Sequence, residues 1–267
     1  GDKVKADCTV GADGKPEVTD VISVNGELYG KVLKRPEFAN LSRIYAENLI
    51  NFSNSDTCAA LKMTVFFTPL AYGQRVLALT GHRRASTELA KYIINGLMGA
   101  DNTETIAAFI GCTPEDRVSV CSAVKHDALL FTGFDSDKRE QLSTLSLAAE
   151  YAKRRAELGK HAVLVIDGFF RPAKSFNKVD TEACAELKKI LAAAGAFEAG
   201  GSLTVIALSD ISQMNNADSE LTAEFIGFEN AVLNYVIYKN SIVLDYKNSF
   251  SDFVCGSQAE AQALKSK

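Results

Sequence analysis

The sequence predicts an α/β protein: a mainly parallel sheet flanked by helices, with a small β appendage at its amino end. Three observations lead there. From about residue 61, short apolar runs alternate with longer helix-patterned stretches, and such alternation implies a parallel sheet covered on both faces. Three of the runs end at Thr80-Gly81, Gly111-Cys112 and Asp167, and in such sheets ligands bind beyond the carboxyl ends of the strands. Before about residue 45 the grain differs, and an Asn25-Gly26 pair sits between two strand-like runs, a strong short-range hairpin signal.

In chain order, Val18 to Val24 and Glu27 to Leu33 form the two arms of that hairpin, and Arg35-Pro36 closes it. A connector through Asn54 and Ser55 leads onward. Val76 to Thr80 reads as a buried strand and Ser86 to Met98 as the helix after it. Thr105 to Ile110 is the second strand, and Pro114-Glu115-Asp116 opens a short helix with acid in its first turn, which suits the helix dipole. Ala128 to Thr132 is the third strand, and Asp135 or Ser136 is positioned to cap a long helix reaching about Leu158. Ala162 to Ile166 is a continuous apolar run ending at Asp167. A helix over Thr181 to Ala194 and a strand over Leu203 to Leu208 follow. Ala231 to Leu244 reads as a terminal hairpin turning near Lys239-Asn240. The division expected is an appendage over 1–45 and a main domain over 46–267.

Bulk properties narrow the function classes. The 267 residues are 47% hydrophobic and 23% charged, ordinary for a globular domain with a full core. A net charge of -4 counts against a generic nucleic-acid binder, which carries a basic footprint. No apolar run approaches the ~20 residues of a membrane span. No leader layout is read at the start, and a chain beginning at Gly1 leaves room for an upstream segment. Six cysteines without a C-x-x-C pair and three histidines give no zinc spacing. Scattered thiols fit a reducing cytoplasm, the expected location.

The stretch Gly73 to Leu89, GQRVLALTGHRRASTEL, organises the chain. A strand runs into a loop and then a helix, where a phosphate loop would lie. That loop needs G-x-x-x-x-G-K-[ST]: glycines so that backbone N–H groups wrap phosphates, a Lys for the outer phosphates, a hydroxyl for magnesium. The matching residues are Thr80-Gly81-His82-Arg83-Arg84-Ala85-Ser86-Thr87. Thr87 keeps the hydroxyl. Thr80 and Ala85 stand where the glycines belong, and Ser86 stands where the Lys belongs. Arg83 or Arg84 supplies charge nearby, but Arg and Lys are not interchangeable. Without other support this stretch reads as an ordinary strand–turn–helix.

Several stretches together resemble the ATPase domain of the transcription termination factor Rho family, a RecA-like fold. Pro69-Leu70-Ala71-Tyr72-Gly73-Gln74-Arg75 is similar to the family's segment before the phosphate loop. Asp167-Gly168-Phe169-Phe170-Arg171-Pro172-Ala173-Lys174-Ser175-Phe176-Asn177 is similar to its segment from the magnesium-side Asp to a following Asn. Gly200-Gly201-Ser202-Leu203-Thr204 is similar to a run shared with rotary ATP synthase subunits. Asp218, Glu224-Phe225, Gly227, Asn230 and Asp245-Tyr246 keep the family's spacing. The resemblance runs collinearly over about residues 45 to 250. It implies a RecA-like P-loop NTPase fold, ATP or ADP with magnesium as ligands, and RNA, a homo-oligomer, or Rho and the transcription machinery as partners, with no membrane.

The departures fall on the family's chemistry. The phosphate-loop Lys aligns with Ser86. The family's E-R-P-E-E-like run, whose Glu polarises the attacking water, reads Cys112-Thr113-Pro114-Glu115-Asp116 here. The trans-acting arginine aligns near Ile237, and the pore Lys with Asn216. Phosphoryl transfer rests on positioning and charge neutralisation, and an arginine finger alone is worth ~10³ or more in rate. The expectation is therefore a degenerate nucleotide site whose remnant is Gly81, Arg83, Arg84, Ser86, Thr87 and Arg171, with Asp167 and Thr87 as the magnesium pair, ATP/ADP and magnesium weakened or lost, and no catalytic residue. RNA binding is weakened with it. The chain then acts through binding or assembly. Two alternatives stand beside this: an active NTPase in which Arg83 or Arg84 replaces the Lys and Glu115 or Asp116 the acid, and a non-catalytic nucleic-acid-binding module. At single positions, Arg171 is expected to make a surface ion pair, Lys153-Arg154-Arg155 to line an exposed helix face, Tyr235, Tyr238 and Tyr246 to pack on the sheet, and Cys112 to be no nucleophile.

Overall fold

A chain whose apolar runs are buried on both faces needs two helical layers, and the computed structural model has them. It describes residues 2–11, 14–53, 58–124, 126–175, 178–211 and 216–252; the notional connector at Asn54 and Ser55 and the run Phe176-Asn177 lie outside these. The appendage comes first: β1 (Val4–Val10), β2 (Pro16–Val24) and β3 (Glu27–Leu28), followed by the single turn α1 (Tyr29–Val32). Asn25 and Gly26 have φ of 53° and 84°, as the two-residue hairpin turn requires. The arm after that turn differs from expectation. It stays extended for two residues only, and the long partner of β2 is β1, upstream. Turning into α1 buries Val32, which a ribbon open to water on both faces could not do.

The main domain adds β4 (Arg43–Ile44), α2 (Ala59–Phe67), β5 (Arg75–Thr80), α3 (Arg83–Gly96), β6 (Thr103–Cys112), α4 (Pro114–Ala123), β7 (Ala128–Gly133), α5 (Lys138–Glu157) and β8 (His161–Asp167). A two-strand ribbon, β9 (Lys174–Ser175) with β10 (Lys178–Val179), precedes α6 (Thr181–Ala192). Then come β11 (Gly195–Phe197), β12 (Ser202–Asp210), α7 (Asn216–Phe225), β13 (Ala231–Tyr238), β14 (Ser241–Leu244) and β15 (Phe250–Ser251). The main sheet runs β7-β6-β8-β12-β5-β13-β14. Its first six strands are parallel, and β14 returns antiparallel through the turn at Lys239 and Asn240. At one end β11 joins β12 to β4, so Arg43–Ile44 is stitched to the main sheet.

The two-residue period of the strands divides the core. Val76, Ala78, Ala107, Phe109, Val163, Val165, Ile206 and Leu208 face α2, α3 and α4. Leu77, Leu79, Ile106, Ala108, Leu164, Ile166, Val205 and Ala207 face α5, α6 and α7. Among the described residues no helix is long and apolar enough to cross a membrane.

Three element ends depart from the sequence reading. Asp137, not Asp135 or Ser136, caps α5 by accepting from the Glu140 N–H at 2.7 Å, while Ser136 Oγ accepts from Gly133 N. Helix α6 stops at Ala192 and the chain re-extends as β11, a strand hidden in a run of small residues with no period of its own. Helix α3 starts at Arg83, three residues before the expected Ser86.

The basic run Lys153-Arg154-Arg155 is not a bare solvated face. Lys153 and Arg154 pair with Glu150, and Arg154 also with the fully buried carboxylate of Glu157. Arg155 pairs with Glu104 and donates to the Asn25 carbonyl at 3.0 Å. Glu157 also takes Arg35 and the Phe38 N–H. Arg155, and Glu157 through Arg35 and the Phe38 N–H, fasten residues 25–38 to α5. The pairs with Glu150 and Glu157 along the helix are local, but Arg155–Glu104 and Arg35–Glu157 join residues far apart in the chain, which sequence could not reveal.

Candidate functional site at the strand ends

Strands β5, β12, β8 and β6 deliver Thr80, Asp210, Asp167 and Cys112 to one edge of the sheet. The expected convergence of Thr80-Gly81, Gly111-Cys112 and Asp167 is therefore present. Between Thr80 and Arg83 only Gly81 and His82 lie outside regular structure. His82 caps α3, with Nδ1 accepting from Arg84 N at 3.1 Å, and Thr80 Oγ1 donates to the His82 carbonyl at 3.2 Å. No residue from Thr80 to Thr87 has a positive φ. A phosphate nest is built from successive N–H groups in alternating right- and left-handed conformations, and this segment has no such turn. Ala85 sits within the first turns of α3, buried, where the motif needs a flexible glycine.

Starting the helix at Arg83 puts Arg83, Ser86 and Thr87 at i, i+3 and i+4, on one face. All three meet Asp167. Ser86 Oγ donates to Oδ1 at 2.6 Å, Thr87 Oγ1 donates to Oδ2 at 2.8 Å, and Arg83 Nη1 donates to Oδ1 at 3.1 Å. Arg83 Nη2 reaches the Ile110 carbonyl at 3.3 Å and the Cys112 sulfur at 3.8 Å. Asp167 is completely buried. Burial pushes its carboxyl above the usual range, opposed by Arg83 and the two hydroxyls.

The arrangement does not fit magnesium. Both oxygens of Asp167 are engaged by side chains of this protein, and its charge is matched by Arg83. Thr87 gives its hydroxyl to Asp167 itself. Among the described residues no group of three or more His, Cys, Asp or Glu could hold a metal ion.

Arg171 follows β8 by one short turn and is half-buried, not the exposed surface pair expected. No hydrogen bond or ion pair holds its guanidinium among the described residues, and its Nε is buried without a partner. Its side chain lies across Gly111 and Gly168, whose φ values are +65° and +83°; a Cβ on Gly111 would stand 2.9 Å from Arg171 Nη1, and one on Gly168 would stand 3.0 Å from Arg83 Nη1 and 3.1 Å from Arg171 Cδ. Burial and the neighbouring Arg83 push Arg171 below the usual guanidinium range, while Asp210, Asp167 and Cys112 oppose them.

Cys112 is buried, and burial raises its thiol to about 11. A neutral thiol cannot replace a carboxylate that orients water. Asp116, considered as a substitute acid, forms a capping box with Thr113 at the start of α4. Arg84 points away from Asp167. It lines a cavity of about 530 Å³ with His82, Glu88, Tyr92 and Asn240, between α3 and the β13–β14 turn. Sequence reading did not single out Glu88 or Tyr92; their i, i+4 spacing on α3 was the available signal. Of the three tyrosines, Tyr235 is buried and shares a hydrogen bond of 2.7 Å with Thr64, Tyr246 stacks on Phe67, and Tyr238 is exposed.

No family model matches the chain. Over 225 residues it is 28% identical to transcription termination factor Rho of Mycobacterium tuberculosis, covering 79% of this chain and 37% of that protein. It is 25% identical to Rho of Karelsulcia muelleri, covering 80% of this chain and 59% of that protein. Against Rho 1 of Ehrlichia chaffeensis it is 27% identical over 246 residues, 85% of this chain and 56% of that one. The chain thus spans between about a third and three fifths of the length of these relatives. Among solved structures, an ATPase from the type III secretion system of pathogenic bacteria superposes with a TM-score of 0.70 at 17% identity, covering 94% of this chain and 76% of that one. The fold is that of a RecA-like ATPase domain, and in sequence the domain is Rho-like.

Proposed function

We propose that this chain is a Rho-related RecA-type domain that has given up hydrolysis and acts through binding or assembly, with the β appendage ending before β4, which pairs into the main sheet. The observation that supports this reading is the saturation of Asp167 by Arg83, Ser86 and Thr87. In a hydrolytic site of this class, positions equivalent to Ser86, Thr87 and Asp167 serve phosphates and a metal. Here they serve one another. The absence of a left-handed turn between Thr80 and Thr87 and the protonated, buried thiol of Cys112 support it independently.

The family's larger context, a homo-oligomer, a Rho ring or the transcription machinery as partner, enters only with this reading. The test is phosphate release from ATP with magnesium, with and without RNA. The expected outcome is no turnover above a protein-free control in either condition. Turnover that disappears in Thr87→Ala, with the protein still folded by circular dichroism, would overturn the proposal.

A further inference from the structure

Two arginines meet at the strand ends, and only one has a counter-charge. Arg83 is held by Asp167 and the Ile110 carbonyl. Arg171 lies beside it over Gly168 with no hydrogen bond or ion pair among the described residues. The Nε atoms of both are buried without partners. Asp210, at the end of β12, acts on Arg171 through space but does not pair with it. A half-buried guanidinium with no partner is costly, because its lost hydration is not replaced. The glycines explain how it got there: a side chain at 111 or 168 would collide with it.

We propose that Arg83 and Arg171 together take a phosphate-type oxyanion, and that they do so without a divalent cation because the Arg83 guanidinium occupies the role of the metal beside Asp167. Arg83 arrives already fixed and neutralised, so it donates without carrying an unbalanced charge. Arg171 supplies the charge that attracts the anion and the planar fork that matches two of its oxygens. A dication would have to displace Arg83 from Asp167, so added magnesium has nothing to contribute. The anion is either free or the terminal phosphate of a nucleotide. This rests on the reading that the corner binds without hydrolysing, but it is tested by binding, so ATP turnover would sink that reading and leave this measurement standing.

Calorimetric titrations with orthophosphate, ADP and ATP, each run in EDTA and again with excess magnesium, make the test. Orthophosphate is expected to bind equally well in both buffers. Arg171→Ala is expected to weaken it by about tenfold or more, which corresponds to ~1.4 kcal/mol or more. Arg171→Lys, which keeps charge and loses the fork, is expected to fall between and guards against a fold defect in the Ala variant. ATP binding at least tenfold tighter than orthophosphate assigns the anion to a nucleotide, and equal affinities assign it to the free ion; both support the site. Binding that requires magnesium, binding unchanged in both Arg171 variants, or no heat with any of the three ligands overturns it.

Discussion

Replacing Arg83 by Met removes the cation beside a buried carboxylate while keeping most of the apolar stem. The Arg83 side chain is 18% exposed and that of Asp167 is 0%. Two unit charges at about 4 Å attract with ~4 kcal/mol at an effective dielectric near 20. Breaking a buried pair from one side costs ~3–5 kcal/mol because the other charge is stranded. Two corrections reduce this: Arg83 is in part solvent-screened, and Ser86 and Thr87 continue to donate to the carboxylate. The expected loss for Arg83→Met is therefore about 2–4 kcal/mol, read as a lower urea midpoint at unchanged slope. Adding Asp167→Asn removes the stranded charge, so the double variant is expected to be more stable than Arg83→Met alone. A double-mutant cycle isolates the pair, with a coupling of about 1–3 kcal/mol expected. If the two substitutions add within ~0.5 kcal/mol, the carboxylate does not depend on Arg83, and the account of the strand-end cluster fails.

Gly81→Ala tests the shape of the loop: Gly81 has no positive φ, and nothing lies within 4 Å of where its Cβ would be, so thermal denaturation is expected to show no loss and a gain of up to ~1 kcal/mol. Cys112 is expected to resist alkylation at pH 8 while exposed Cys8 and Cys121 react, as peptide mass mapping can read. Its raised thiol also sets a sign: the folded state holds its proton from pH 9 to about 11 while the unfolded state loses it. Stability is thus full below pH 9 and falls by ~1.4 kcal/mol per pH unit across that window, a slope that Cys112→Ser should flatten. Tyr235→Phe breaks the buried bond to Thr64 at 2.7 Å and leaves the Thr64 hydroxyl its bond to the Ala60 carbonyl, so chemical denaturation should report a loss of about 1–2 kcal/mol.

The order of strands and helices was legible because burial on two faces writes itself as continuous apolar runs, and Val76, Val163 and Ile206 lie where those runs put them. Features set by contacts distant in sequence were not. β11 is a three-residue strand whose identity comes only from the partners it pairs with. The burial of Arg171 depends on Gly111, 60 positions away, having no side chain. The role of Arg155 depends on Glu104, 51 positions away, and on the Asn25 carbonyl.

The misplacement of the α3 start by three residues has the largest consequence, because the chemistry of the corner turns on it. With the helix beginning at Ser86, Arg83 and Arg84 would be equivalent loop residues, either one free to imitate the missing Lys. Beginning at Arg83, they face different ways: Arg83 joins Ser86 and Thr87 on Asp167, and Arg84 lines the cavity beside Tyr92. The cause can be named. Gly in a helix is less favourable than Ala by ~1 kcal/mol, so the Ala at 85 removes the residue that would hold the loop open. His82 then supplies a cap one turn earlier. Once the backbone winds back that far, the i, i+3, i+4 geometry delivers an arginine and two hydroxyls to a single carboxylate without further design. On the proposed reading of a degenerate site, a serine at the lysine position and the closed loop are linked: a buried carboxylate without a metal requires a cation, and the extra helical turn supplies Arg83.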